Sequence, residues 1–199
     1  MKRIVMIGAP GSGKGTQSEA LSTSLGIQKV STGDILRSVQ NEDSPLGKAV
    51  KARLDEGLYV DDALITNIVK DWVEKNPGSF ILDGFPRSTH QAVLLDSFAR
   101  PTDAVFLDVP HDIVMERTVH RRSCKETGRI YHLLYDPPPE GTELVWRKDD
   151  KPELVESRLS QYRELAFPTI EYYAASGRLR PVSGVGSQQE ITDRILQSL

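Results

Sequence analysis

The sequence predicts an α/β fold built on a mainly parallel, five-stranded sheet, and three observations predict it. Short, continuously apolar runs recur along the chain; longer amphipathic stretches separate them; and a glycine-rich turn joins the first run to the first amphipathic stretch. Continuous rather than alternating hydrophobicity is what strands covered on both faces require, and strand–helix alternation is the pattern of a parallel sheet.

The elements follow in order. Ile4, Val5, Met6 and Ile7 form the first strand, and residues 13–25 the first helix. A shorter run at 28–31 supplies a second strand, residues 61–76 a helix, and Phe80, Ile81 and Leu82 a third strand. Residues 89–99 read as helix, 104–107 as strand, 111–122 as helix, and 151–176 as a helix with a break expected at Pro168. Residues 179–182 complete the strand set. Ser187-Gln188-Gln189-Glu190 is a capping-box pattern that announces a last helix.

Two stretches interrupt this rhythm. Residues 31–60 read as a strand end followed by short helices, with Ser44-Pro45 as N-cap and first-turn pair of the second. Residues 120–150 are polar, and Pro137-Pro138-Pro139 exclude a helix interior there, while residues 129–132 look like a small strand or hairpin arm. Two readings stand for these stretches: insertions that move as units, or long loops. On the first, the core comprises 1–30, 61–119 and 151–199.

At 199 residues the chain has the size of one domain, and 38% hydrophobic residues supply a core that excludes pervasive disorder. Lys and Arg number 25 against 28 Asp and Glu, a net charge of −3 that argues against a general nucleic-acid binder. The single cysteine, Cys124, closes no intrachain disulfide and suits a reducing compartment. Met1-Lys2-Arg3 imitates the start of a signal peptide, but the apolar run after it ends at Gly8, and no run approaches the roughly 20 apolar residues that span a bilayer. The expectation is a soluble, cytoplasmic monomer without membrane or nucleic-acid partners.

The strongest chemical signal is Gly8-Ala9-Pro10-Gly11-Ser12-Gly13-Lys14-Gly15-Thr16, directly after the first strand and leading into a helix. A phosphate needs unhindered backbone N–H groups pointing inward, which glycines permit, and Lys14 adds a point charge for the outer phosphates. This is a phosphate site of P-loop type, which sets the sheet in a three-layer P-loop fold. The strict pattern places Ser or Thr right after the lysine to ligate magnesium. Here Gly15 intervenes before Thr16, so the hydroxyl is displaced from that role.

The second signal is Phe80-Ile81-Leu82-Asp83-Gly84-Phe85-Pro86-Arg87. A buried strand ending in Asp83 at the same sheet edge can orient magnesium through its water shell. Asp108 ends another run and could simply cap the helix that starts at His111. Gly84 stands where motor ATPases carry a catalytic Glu, and no Asn-Lys-x-Asp stretch exists to read guanine in the manner of a GTPase.

With these motifs, Ser31-Thr32-Gly33-Asp34-Ile35-Leu36-Arg37, Gly128-Arg129-Ile130-Tyr131-His132, and Arg147-Lys148-Asp149-Asp150 followed by Arg158, the chain resembles the adenylate kinases over essentially its whole length. Gly15 after the lysine is what nucleoside monophosphate kinases show. The resemblance implies reversible transfer of the ATP γ-phosphoryl to AMP, giving two ADP, with Mg2+ accompanying ATP and Asp83 holding it through water. It makes residues 31–60 a helical insert that binds the monophosphate and 120–150 a short lid.

The chemistry agrees. The chain shows no protein-kinase-type catalytic Asp and no His-centred base, and a phosphate acceptor needs none because its oxygen is already ionised. Catalysis reduces to positioning and to cations around the transferring group, for which guanidinium is the best forked donor. The resemblance implies Lys14, Arg87, Arg121, Arg147 and Arg158 as the catalytic set. It implies Gly11, Ser12, Gly13, Lys14, Gly15, Thr16, Arg117, Arg121, Ile130, Tyr131 and Gly186 at ATP, with Arg117 against the adenine. At AMP it implies Thr32, Arg37, Leu58, Tyr59, Val60, Gly84, Phe85, Pro86, Arg87, Gln91, Arg147 and Arg158. Tyr59 and Val60 could equally be core residues of the insert.

Thr32 and Gln91 point to AMP, since relatives that prefer UMP or CMP typically carry Ala at the Thr32 position. A UMP/CMP-type kinase and a noncatalytic nucleotide-binding module are the alternatives. Some relatives hold the lid with structural zinc, but here the CxxC partner of Cys124 is Thr127, and His120 and His132 bring no second ligand pair. No zinc site is expected.

Overall fold

The computed structural model describes residues 1–56, 60–147 and 150–199. Five parallel strands form the main sheet in the order β2-β3-β1-β4-β8: β1 (Arg3–Gly8), β2 (Gln28–Ser31), β3 (Phe80–Asp83), β4 (Asp103–Asp108) and β8 (Leu179–Ser183). The three central strands β1, β3 and β4 alternate their side chains between two covered faces, which explains their apolar runs, whereas the edge strands β2 and β8 are only partly buried. Val5 and Ile7 join Leu82 and Phe80 in one core, under α4 (Asp62–Lys75), α5 (Thr89–Ala99) and Tyr173 of α7 (Pro152–Ala175). Ile4 and Met6 face the other way, meeting Leu21 of α1 (Lys14–Leu25) and Ile191 and Ile195 of α8 (Gln188–Ser198). The result is the expected three-layer arrangement.

Register decides where chemistry can happen. Met6 pairs with Asp83, Ser31 with Asp83, Gly8 with Leu107 and Asp108 with Ser183, so the strands end together along one edge. The glycine loop, the Gly84–Arg87 turn and the start of α2 (Thr32–Val39) all leave from that edge. Ligands of open α/β sheets bind there.

Residues 32–55 fold as α2 and α3 (Pro45–Asp55), and the Ser44 hydroxyl accepts from the Gly47 N–H as the sequence predicts. Residues 121–145 form a separate three-stranded antiparallel sheet, β6-β5-β7, from β5 (Arg121–Cys124), β6 (Ile130–His132) and β7 (Leu144–Val145).

Two sequence expectations need correction. The helix expected over 111–122 is α6 (His111–Val119): the chain turns at His120, and Arg121 and Arg122 pair with His132 and Tyr131 across β6. The break expected at Pro168 is absent, since α7 runs through it. Proline removes one helical hydrogen bond, and the face carrying Val155, Leu159, Ala166, Thr169 and Tyr173 is buried along the whole length, which offsets that loss.

Candidate active site

The glycine loop closes tightly on itself. The Ser12 N–H donates to Ala9 O at 3.0 Å, and Gly11 and Gly13 adopt φ of 85° and 96°. A Cβ on Gly11 would stand 2.0 Å from the Thr118 hydroxyl, so only glycine fits there. The Ser12 hydroxyl is buried without a protein partner, and Gly15 and Thr16 are exposed at the start of α1. Lys14 folds back over the loop, donating from Nζ to Gly8 O at 2.7 Å and Ala9 O at 2.8 Å. Burial pushes its pKa down to about 8; the charge of Asp83 opposes that shift, and those of Arg87, Arg158 and Arg121 add to it.

Lys14 thus stands within the fields of one carboxylate and three guanidinium groups that arrive from β3, the turn after it, α7 and β5. Lys14, Gly84, Pro86, Arg87 and Arg158 line one pocket, and Tyr162 and Thr169 of α7, which sequence reasoning did not single out, line it with them. The Asp83 carboxylate lies 3.3 Å from where a Cβ on Gly15 would stand, so it faces the glycine loop. A carboxylate oxygen beside a phosphate cradle is a hard donor of the kind magnesium accepts, directly or through its water shell. Among the described residues no group of three or more His, Cys, Asp and Glu side chains is arranged around a metal position.

Each outer cation is steadied by the protein. Arg121 grips the fully buried Asp150 with two hydrogen bonds, one of them from Nε at 3.0 Å. Arg147 donates from Nε to Ser123 Oγ at 2.9 Å. Arg37 pairs with Asp34 one turn earlier on α2. Burial alone would raise the Asp34 carboxyl, but hydrogen bonding and charge from Arg37, Ser31 and Arg147 hold it below its ordinary value. Residues of α2 and of the small sheet therefore share one cleft. Sequence reasoning missed the Asp34–Arg37 pair, although its i,i+3 spacing on a helix is the signal that could have found it; Asp150 was visible only as part of a motif.

On the other side of the loop, Arg117 donates from Nη1 to Gly184 O at 3.0 Å and Ser12 O at 3.3 Å, tying the loop to the turn that carries Gly186. Burial lowers its pKa. Ile130 is exposed, while Tyr131 is buried with the Arg129 guanidinium over its ring.

Around the Gly84 turn, the Thr32 hydroxyl donates to Asp83 O at 3.3 Å, and a Cβ on Gly84 would stand 2.5 Å from that hydroxyl. Arg87 Nε donates to Gly84 O at 2.7 Å. The Phe85 side chain is fully buried in the core, so Phe85 offers the cleft its backbone alone. Val60 packs in the same core cluster as Leu36 and Val50, the second of its two sequence readings. Gln91 is buried and already engaged, its Oε1 accepting from the Arg87 N–H at 2.7 Å and its Nε2 donating to Asp62. Leu58, Tyr59, Lys148 and Asp149 lie outside the described residues. Cys124 is buried, and hydrogen bonds from Thr127 hold its thiol below the ordinary value.

A glycine-loop lysine at the edge of a parallel sheet, with one carboxylate and converging arginines around it, defines a P-loop nucleotide phosphotransferase. The adenylate kinase family profile matches residues 6–178. The adenylate kinase of Thermodesulfovibrio yellowstonii is 43% identical over 97% of this chain and 96% of its own length. Those of Caldicellulosiruptor bescii and Salinibacter ruber are 40% and 39% identical, each over 99% of this chain and 98% and 97% of theirs. The chain belongs to the adenylate kinase family. It is an enzyme of phosphoryl transfer between ATP and AMP, and the pyrimidine-monophosphate alternative is not favoured.

Proposed function

We propose that this cleft converts ATP and AMP to two ADP with its cations divided between the two nucleotides. The carrying observation is the convergence of Arg87, Arg121 and Arg158 on Lys14 at the sheet edge. Gly11 to Thr16 cradle the ATP phosphates, and the orphaned Ser12 hydroxyl gains a phosphate partner. Arg117, Ile130, Tyr131 and Gly186 take the ATP nucleoside. Arg37 and Arg87 hold the AMP phosphate; Thr32, Gly84, Pro86 and Gln91 bound its base side, with Leu58 and Tyr59 as further candidates by motif.

In the transfer, an AMP phosphate oxygen forms a bond to the γ-phosphorus as the bond to the β–γ bridging oxygen breaks, and the leaving charge stays on ADP. No proton needs a base. Lys14, Arg121, Arg147 and Arg158 surround the moving group, where fixed cations outperform water because they need no reorganisation. Asp83 would hold Mg2+ through water, and the ion when bound offsets phosphate charge. Residues 31–60 act as the monophosphate-binding insert, 120–150 as the lid, and 1–30, 61–119 and 151–199 as the core.

In this reading the enzyme works as a cytoplasmic monomer whose partners are nucleotides, supported by its single cysteine and net acidity. No helix among the described residues is long and apolar enough to cross a membrane. Incubation with ATP, Mg2+ and each of AMP, CMP, UMP and GMP, followed by chromatography, tests the reaction. ADP accumulation from AMP far above the other acceptors is expected; equal turnover of UMP or CMP would overturn it.

A further inference from the structure

A glutamine amide has no fixed chemical sense, because turning it over exchanges donor for acceptor. An unrestrained Gln91 would serve the adenine edge, with its amino donor and N1 acceptor, and equally the 6-oxopurine edge, where both roles are reversed. Two neighbours remove that freedom. The Arg87 N–H can only donate, and it stands 2.7 Å from Oε1. The Asp62 carboxylate, in the first turn of α4, can only accept, and it takes Nε2. A flipped amide would set N–H against N–H and oxygen against carboxylate, replacing two hydrogen bonds with two repulsions.

The clamp is itself held in place. The Ser88 hydroxyl donates to the second Asp62 oxygen at 3.2 Å and accepts from the Gln91 N–H at 3.2 Å, so α4 and the start of α5 are tied together around this one amide. With both partners made, Gln91 retains one N–H and one Oε1 lone pair for a base, in a fixed order.

We propose that Asp62 is a positioning residue for base specificity: by accepting from Gln91 it locks the amide in the sense that matches a 6-aminopurine and mismatches a 6-oxopurine. This rests on Gln91 as the reader of the AMP base. Sequence reasoning missed Asp62 because a carboxylate in a helix's first turn is ordinary there and carries no motif.

The test compares AMP with IMP, which differs only at the edge concerned, as acceptors for the intact enzyme and for Asp62→Asn, Asp62→Ala and Gln91→Ala. Asn keeps the shape of Asp but presents either sense to Gln91. Asp62→Asn should lower the AMP-over-IMP ratio of kcat/KM by about tenfold or more while the KM for ATP holds. A merely structural role would slow both acceptors alike and leave the ratio intact. An unchanged ratio in Asp62→Asn, with Gln91→Ala abolishing the preference, overturns the lock and keeps the reader. An unchanged ratio in Gln91→Ala overturns the reader and the lock with it.

Discussion

Lys14 is the residue on which burial and the proposed catalytic role pull in opposite directions. Its ammonium is desolvated and crowded by three arginine charges, which is why its pKa falls to about 8. The unfolded chain, with an ordinary lysine, holds that proton more firmly, so between about 8 and the ordinary value near 10.5 the fold gains stability as pH rises. Lys14→Met should therefore lose at least ~10²-fold in kcat, as for a removed preorganised donor, while the ligand-free protein melts no lower than the parent at neutral pH. Near-normal turnover in a folded variant would remove Lys14 from the mechanism. In the parent, kcat/KM for ATP should decline as pH rises through about 8, while kcat, reporting the nucleotide-bound enzyme, holds to higher pH. Arg87 offers a contrast, since the proposed mechanism assigns it to the other nucleotide. Arg87→Ala should raise the KM for AMP and slow transfer, a charge-assisted contact being worth about 1.5–3 kcal/mol, with ATP affinity in the absence of AMP nearly unchanged. Collapse of ATP binding with AMP binding intact would reverse that assignment.

Elements divide by whether their signal is local. The capping box of α8 was written in the sequence and is present: Ser187 Oγ accepts from the Glu190 N–H, and Glu190 Oε2 accepts from the Ser187 N–H at 2.8 Å. Because Ile191 and Ile195 anchor that helix in the core, Ser187→Ala should cost about 1 kcal/mol and lower the melting midpoint by roughly 2–4 °C. A scanning calorimetry trace that does not move would mean the cap is idle. The apolar central strands β1, β3 and β4 and the glycine loop were legible for the same reason, since burial on both faces and phosphate binding each dictate residue type position by position. The end of α6 was not. Arg121 and Arg122 suit a helix end as well as a strand, and what makes them a strand is pairing with His132 and Tyr131, which no local pattern reveals. Pro168 misled in the opposite direction, because packing along α7 outweighs one lost hydrogen bond. Asp150 shows the limit inside the site: only the fold brings it to Arg121.

For the whole molecule the chemistry poses a hazard, because ATP left beside water can be hydrolysed before an acceptor arrives. Left bare, Arg37, Arg121 and Arg147 would repel one another across an empty, wet cleft and so hold residues 31–60 and 120–150 apart. They are not bare. Arg37 is paired with Asp34 and Arg121 with Asp150, while the charge of Arg147 also falls on Asp34. In the proposed mechanism these cations meet the nucleotides already partnered, so closure would be an exchange of carboxylate for phosphate rather than relief of repulsion. Such an exchange gains little from either nucleotide alone, since each supplies phosphate to only part of the set. Driving a two-state equilibrium nearly to completion takes about 10⁴-fold preference for one state, and only a ligand filling both sites touches every cation at once. Spin or fluorescent labels at Asp43, Glu140 and Gln188, all exposed, would follow the distances from each segment to the core. A polyphosphate joining two adenosines should shorten both distances, whereas ATP or AMP alone should move them only in part. Unchanged distances at saturation would make these segments static walls of the pocket, and the exclusion of water would then have to come from the nucleotides themselves.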